Sequence, residues 1–82
     1  PVGGYDLNIF LKNLTVVDVK AEGISNWSVA NNTLFITGYN FSKSGKFEIG
    51  EIVFNVTNST YSAIITKATL SDAEGHKFLK VQ

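Results

Sequence analysis

The side chains best equipped for chemistry are few and scattered. His76 is the one histidine, and Ser71, Asp72 and His76 have the residue types of a nucleophile, an orienter and a base. They crowd around a single turn, however, whereas a working triad converges from separate elements into a rigid site. That arrangement reads as turn chemistry. Asp6, Asp18, Glu48, Glu51, Asp72 and Glu74 are dispersed, and no pair is spaced for general acid and base work. The chain has no cysteine, which removes thiolate nucleophiles, thiolate metal sites and disulfides together. Asp72-Ala73-Glu74-Gly75 sets two carboxylates and a glycine in a tight loop that could lend oxygens to calcium. A loop ligand set normally needs more acids, so a plain hairpin turn is the better reading. No catalytic residue, metal or cofactor is expected, and the chain is not read as an enzyme.

A different chemistry is over-represented. Six Asn-x-Ser/Thr triplets begin at Asn13, Asn26, Asn31, Asn40, Asn55 and Asn58. The chain has eight Asn and 14 Ser or Thr among its 82 residues, so chance placement gives roughly one or two such triplets. An acceptor Asn must face solvent. Five of the six fall in expected turns or strand ends, and Asn55 takes the phase opposite Ile52, Phe54 and Val56. The excess points to a glycosylated, exported protein, extracellular or at a cell surface. The competing explanation is that Asn and Thr are common in turns of β proteins. An exported chain without Cys fits an archaeal thermophile better than a eukaryotic secreted domain.

Aromatic rings supply the remaining candidates. Trp27, Tyr39, Phe41 and Tyr61 lie near loops or strand ends, where rings can stack on sugar faces. Trp27 fits equally well as a core anchor. Phe10 and Phe35 take the outward phase of their strands, so another layer covers them or a partner does. Formal net charge is zero, with seven Lys, no Arg and seven acids spread along the chain. A nucleic-acid binder needs a clustered cationic face. No apolar run approaches the length of a membrane span, and no signal peptide is visible at the start.

These residues must be positioned by strands. Val, Ile and Thr make up 22 residues and aromatics ten, the side chains that suit a pleated surface. Alternation is nearly continuous, with no helical stripe. Tyr5 to Lys12 buries Tyr5, Leu7, Ile9 and Leu11. Asn13 interrupts, and Leu14 to Lys20 follows, with Val17 and Val19 inward or Val16 shared. Ile24 to Val29 is a short edge strand, and Thr33 to Tyr39 the next. Asn40 to Lys46 reads as the clearest loop. Phe47 to Thr57 reads as the longest strand, with a bulge at Gly50 where the apolar phase changes. Tyr61 to Leu70 places Ile64, Thr66, Ala68 and Leu70 on one face. A turn at Asp72 to Gly75 leads into His76 to Val81. Six or seven strands with regular turn signals imply one all-β domain over residues 1–82, an antiparallel β-sandwich. With no Met in the chain, the domain reads as a module cut from a larger protein.

Gly4-Tyr5-Asp6-Leu7-Asn8-Ile9 followed by Leu14-Thr15-Val16-Val17-Asp18-Val19 resembles a cohesin-like domain, whose sandwich several carbohydrate-binding modules share. A long strand like Ile49 to Val56 and a strand pair closed by a turn like Asp72 to Gly75 extend the likeness. The resemblance implies a jelly-roll or cohesin-like sandwich, a type common in archaeal surface proteins. Family members run longer and open with one or two further strands, which are expected to be missing here. Dockerin recognition does not carry over, because the sheet-face residues that make it do not map onto this sequence. A sandwich without an edge strand exposes unpaired backbone and invites strand-edge pairing. The leading expectation is a structural or adhesive module assembling with a protein partner or neighbouring copies by sheet-face or strand-edge contact. The alternative is a carbohydrate-binding module of a secreted hydrolase, with a polysaccharide ligand.

Overall fold

The computed structural model describes residues 1–46, 48–72, 74 and 76–81, with backbone alone at 77–81. The chain is all-β, as its two-residue alternation requires. The strands are β1 (Val2–Lys12), β2 (Leu14–Ala21), β3 (Ile24–Ala30), β4 (Thr33–Lys43), β5 (Gly50–Val56), β6 (Ser62–Ser71) and β7 (Lys77–Val81). They form two antiparallel sheets, one of five strands in the order β3-β4-β1-β6-β7 and one of two, β2-β5. Among the described residues no helix is long and apolar enough to cross a membrane.

One apolar cluster ties the sheets together. Tyr5, Ile9 and Leu11 of β1, Leu34 and Ile36 of β4, and Val19 of β2 are buried. Leu14, Val16, Ile52 and Phe54 pack against them from the small sheet. Leu34 is wholly inaccessible, and burying a side chain of that size contributes roughly 1.5–3 kcal/mol. Tight turns set the registers. Asn31 and Asn32, both at positive φ (51° and 58°), make the two-residue turn that pairs Ala30 with Thr33. Hairpins of this kind need two left-handed residues, and Asn tolerates that region better than most.

Three register shifts rearrange the expected faces. In β2 the shift falls between Val16 and Asp18, so Val17 bulges out, 52% exposed, while Val16 and Val19 point inward. In β6 the shift falls opposite Asn8 and Ile9, where Thr66 steps out of the ladder and its hydroxyl donates to the Asn8 carbonyl at 3.3 Å. The expected face of Ile64, Thr66, Ala68 and Leu70 is therefore split. Ile65 pairs with core-side Ile9 and Ile64 with outward Phe10. In β4 the shift lies between the Val2–Lys43 and Gly4–Tyr39 pairs, with Asn40 at φ 66°. This bulge lets β4 run on to Lys43, through the segment expected to be a loop.

The strand expected over Phe47–Thr57 begins only at Gly50, and β1 and β4 are the longest at 11 residues each. Phe47 lies outside the described residues, as do Ala73 and Gly75 of the expected turn. No bulge falls at Gly50. It is glycine because a Cβ there would sit 2.7 Å from the Ala21 Cα and overlap the Lys20 carbonyl. Gly50 opens the β2–β5 ladder opposite Ala21, and just before it the Ile49 carbonyl accepts the Glu22 N–H at 2.7 Å.

Candidate functional site: the outward face of the five-stranded sheet

Register decides which side chains share a face, because residues directly opposite in paired strands point the same way. On the outward face one row runs Ser28, Phe35, Asn8, Lys67, and the next runs Ala30, Thr33, Phe10, Ile64. Phe10 is diagonal to Phe35 and directly opposite Ile64. Their exposures are 43%, 37% and 56%, so three large apolar side chains lie together and partly open. Two rows along, Tyr39 pairs with Ile24 and Gly4, and both apolar side chains are more than half exposed.

Trp27 faces the other way by register, opposite Ile36, but β3 is the sheet's edge and the indole is 38% exposed. It lines a shallow depression of about 210 Å³ with Asn26, Ser28, Phe35 and Thr37. On the outward side it presents the Phe35 ring with an amide and two hydroxyls, and Trp27 contributes at the sheet edge. Phe41 has a different job: it packs against the core, its ring 5.7 Å from that of Tyr5. Tyr61 stands exposed just before β6, whose first residue Ser62 pairs with Lys12, eight residues along β1 from the Tyr39 row, or about 27 Å. Of the six aromatic candidates, the structure brings together Phe10 and Phe35, with Trp27 at the rim of Phe35 and Tyr39 further along the same face. Ile24 and Ile64 join that face unannounced, since only the β6 bulge reveals which of Ile64 and Ile65 points outward.

The sequon asparagines divide by backbone. Asn13, Asn31 and Asn40 have positive φ (55°, 51° and 66°), and the Asn13 amide donates to the Thr60 carbonyl at 2.6 Å. Asn58 Oδ1 accepts the Thr60 N–H at 3.1 Å and so closes a small turn. All four have a local conformational role. Asn26 and Asn55 sit within strands opposite Thr37 and Thr15. Asn13 is half-buried and the other five are exposed.

At the Asp72 turn, Oδ1 accepts the N–H groups of Glu74 and His76 at 3.0 and 2.8 Å, and Oδ2 lies 3.1 Å from His76 Nδ1. The His76 amide is the main reason the Asp72 carboxyl is held below its ordinary 3.8, with the Glu74 amide and the imidazole adding to it. Ligand atoms of Asp72, Glu74 and His76 lie within 4.8 Å of one another, but Asp72 is already spent on organising the turn. Ser71 makes no contact that would link it to His76 as a nucleophile, its hydroxyl instead facing Gly4.

Comparison with known protein families, with curated proteins and with solved structures finds no match to this chain.

Proposed function

We propose that the chain is a non-catalytic structural or adhesive module of an extracellular glycoprotein, a cohesin-like β-sandwich that assembles with neighbouring copies through the outward face of its five-stranded sheet. The observation that carries this reading is the patch of Phe10, Phe35 and Ile64, side by side on a regular sheet and open to solvent. Three large apolar side chains grouped on a regular, solvent-open sheet suit docking. The sequon excess supports an exported setting, with Asn55 best placed to carry a glycan, because it is used by no turn and lies in the small sheet, away from the docking face.

Sedimentation velocity over a wide concentration range tests it, comparing the natural chain with a Phe10→Ser/Phe35→Ser variant. Concentration-dependent association that the variant loses supports the reading. A chain that stays monomeric at millimolar concentration refutes it.

A carbohydrate-binding module is the second reading, favoured by the depression that joins Trp27 and Phe35 to Asn26, Ser28 and Thr37. Titrating soluble polysaccharides while following Trp27 fluorescence separates the two. A saturable change abolished by Phe35→Ser would replace the assembly reading with this one.

A further inference from the structure

The two sheets are unequal in a way that exposes backbone. The small sheet has two strands over a five-stranded floor, and β5 pairs with β2 alone, so its other edge is unpaired among the described residues. β2 approaches β3, while the first half of β5 lines an apolar cleft of about 360 Å³ with Leu7, Ile9 and Ile65. The free edge of β5 therefore looks onto uncovered floor. Ile65 is on the core side by register, yet it is 57% exposed. An unpaired row of N–H and C=O groups beside an apolar floor is the template for an added strand. A helix laid in the cleft would leave those groups unmatched, whereas an extended segment would pair with them.

Two further features select the occupant. The free edge needs extended backbone as its partner, and the cleft beside it, about 360 Å³ and floored by Leu7, Ile9 and Ile65, has the size for alternate side chains of a single segment. The rim carries Glu48 and Glu51 against Lys20, and among the described residues neither carboxylate is ion-paired. The rim thus has a net negative charge and complements a cation on the incoming segment.

We propose that β5 accepts an extended, lysine- or arginine-flanked peptide segment as a third strand of the small sheet. Alternate apolar side chains of that segment pack on Leu7, Ile9 and Ile65. The site goes beyond the outward-face reading and does not depend on it, lying on the opposite side of the floor.

The test is an NMR titration of the isotopically labelled chain with a synthetic lysine-flanked peptide of alternating valine and threonine. Alternate amides of Gly50–Val56 should gain at least about tenfold in exchange protection, with shifts at Leu7 and Ile65. Ile65→Lys, a change at an exposed position, and the pair Glu48→Lys/Glu51→Lys should each weaken binding by about tenfold or more. Phe10→Ser/Phe35→Ser should leave it unchanged. Protection gained at β3 or β2 instead, equal binding of a proline-interrupted peptide, or no change at millimolar peptide would each overturn the proposal. If the peptide fails but the outward-face serines still abolish self-association, only this proposal falls. If the peptide binds and the serines change nothing, only the outward-face reading does.

Discussion

Gly38→Ala should destabilise the fold far more than a single methyl suggests. Gly38 pairs with Tyr5, and a Cβ there would fall 2.5 Å from the Tyr5 Cε1 and closer still to the hydroxyl end of the ring. The ring lies over the glycine because its hydroxyl donates to the Glu22 carbonyl at 3.1 Å and its edge meets Phe41. Strained overpacking costs about 1–3 kcal/mol. If the ring swings away instead, the protein loses a hydrogen bond, about 1 kcal/mol, an aromatic pair, about 0.5–1.5 kcal/mol, and part of the ring's burial. Reduced freedom of the unfolded chain returns only about 0.4–1 kcal/mol. The less costly route is the one taken, so a net loss of about 0.5–2.5 kcal/mol remains, or about 2–20 °C in Tm for a domain this size. Thermal unfolding by circular dichroism measures it, and Tyr5→Leu/Gly38→Ala should be much less than additive. Alkaline ultraviolet titration in a Tyr39→Phe/Tyr61→Phe background adds a local readout. Burial, helped by the charge of Glu22, raises the Tyr5 ionisation above its ordinary 10.0, and Gly38→Ala should bring it back down if the ring is expelled. A loss below about 0.5 kcal/mol, or strict additivity with Tyr5→Leu, would refute this account of the contact.

The remaining expectations concern the turns. The folded Asp72 carboxyl titrates below its unfolded value of 3.8, so its contribution to stability is present above that pH and fades as pH falls through the folded midpoint. His76→Ala should leave most of this depression intact in a carboxyl NMR titration, because the residue-76 backbone amide is its largest cause; a midpoint restored to 3.8 would contradict that. Replacing Asn31 or Asn40 by Ala should cost roughly 1 kcal/mol each for the left-handed backbone, and replacement by Gly much less. Asn13→Ala should cost more, since its bond to the Thr60 carbonyl goes too. Asn26→Gln and Asn55→Gln should change unmodified-chain stability by under about 0.5 kcal/mol, measured by urea denaturation.

What could be read from the sequence was whatever alternation alone determines. The buried face of β1 and the outward phase of Phe10 and Phe35 follow from residue type at every second position, and the edge position of β3 from its short, irregular pattern. The bulges did not follow, because each depends on the partner strand. Nothing in Val16-Val17 or Ile64-Ile65 says which neighbour turns inward until the opposite ladder fixes it. Gly50 looked like a bulge for the same reason: the Lys20 carbonyl it makes room for is 30 residues away in sequence. Phe41 looked like a loop aromatic because its tie to Tyr5 requires the Asn40 bulge that carries β4 past Tyr39.

Sheet membership was the deeper blind spot, and it bears most on function. A half-apolar strand has the same pattern whether its inner face is roofed or open, so alternation could not show that two strands roof a floor of five. The consequence is visible in the side chains: among the described residues seven apolar ones are buried, whereas twelve large ones are exposed. Scattered exposure is ordinary on any protein surface. Here it is ordered, with Phe10, Phe35 and Ile64 on one side of the floor and Ile65 beside an unpaired strand edge on the other. An 82-residue chain with no disulfide has little stability to spare. Leaving this much apolar surface open is physically reasonable if contact with other chains covers it.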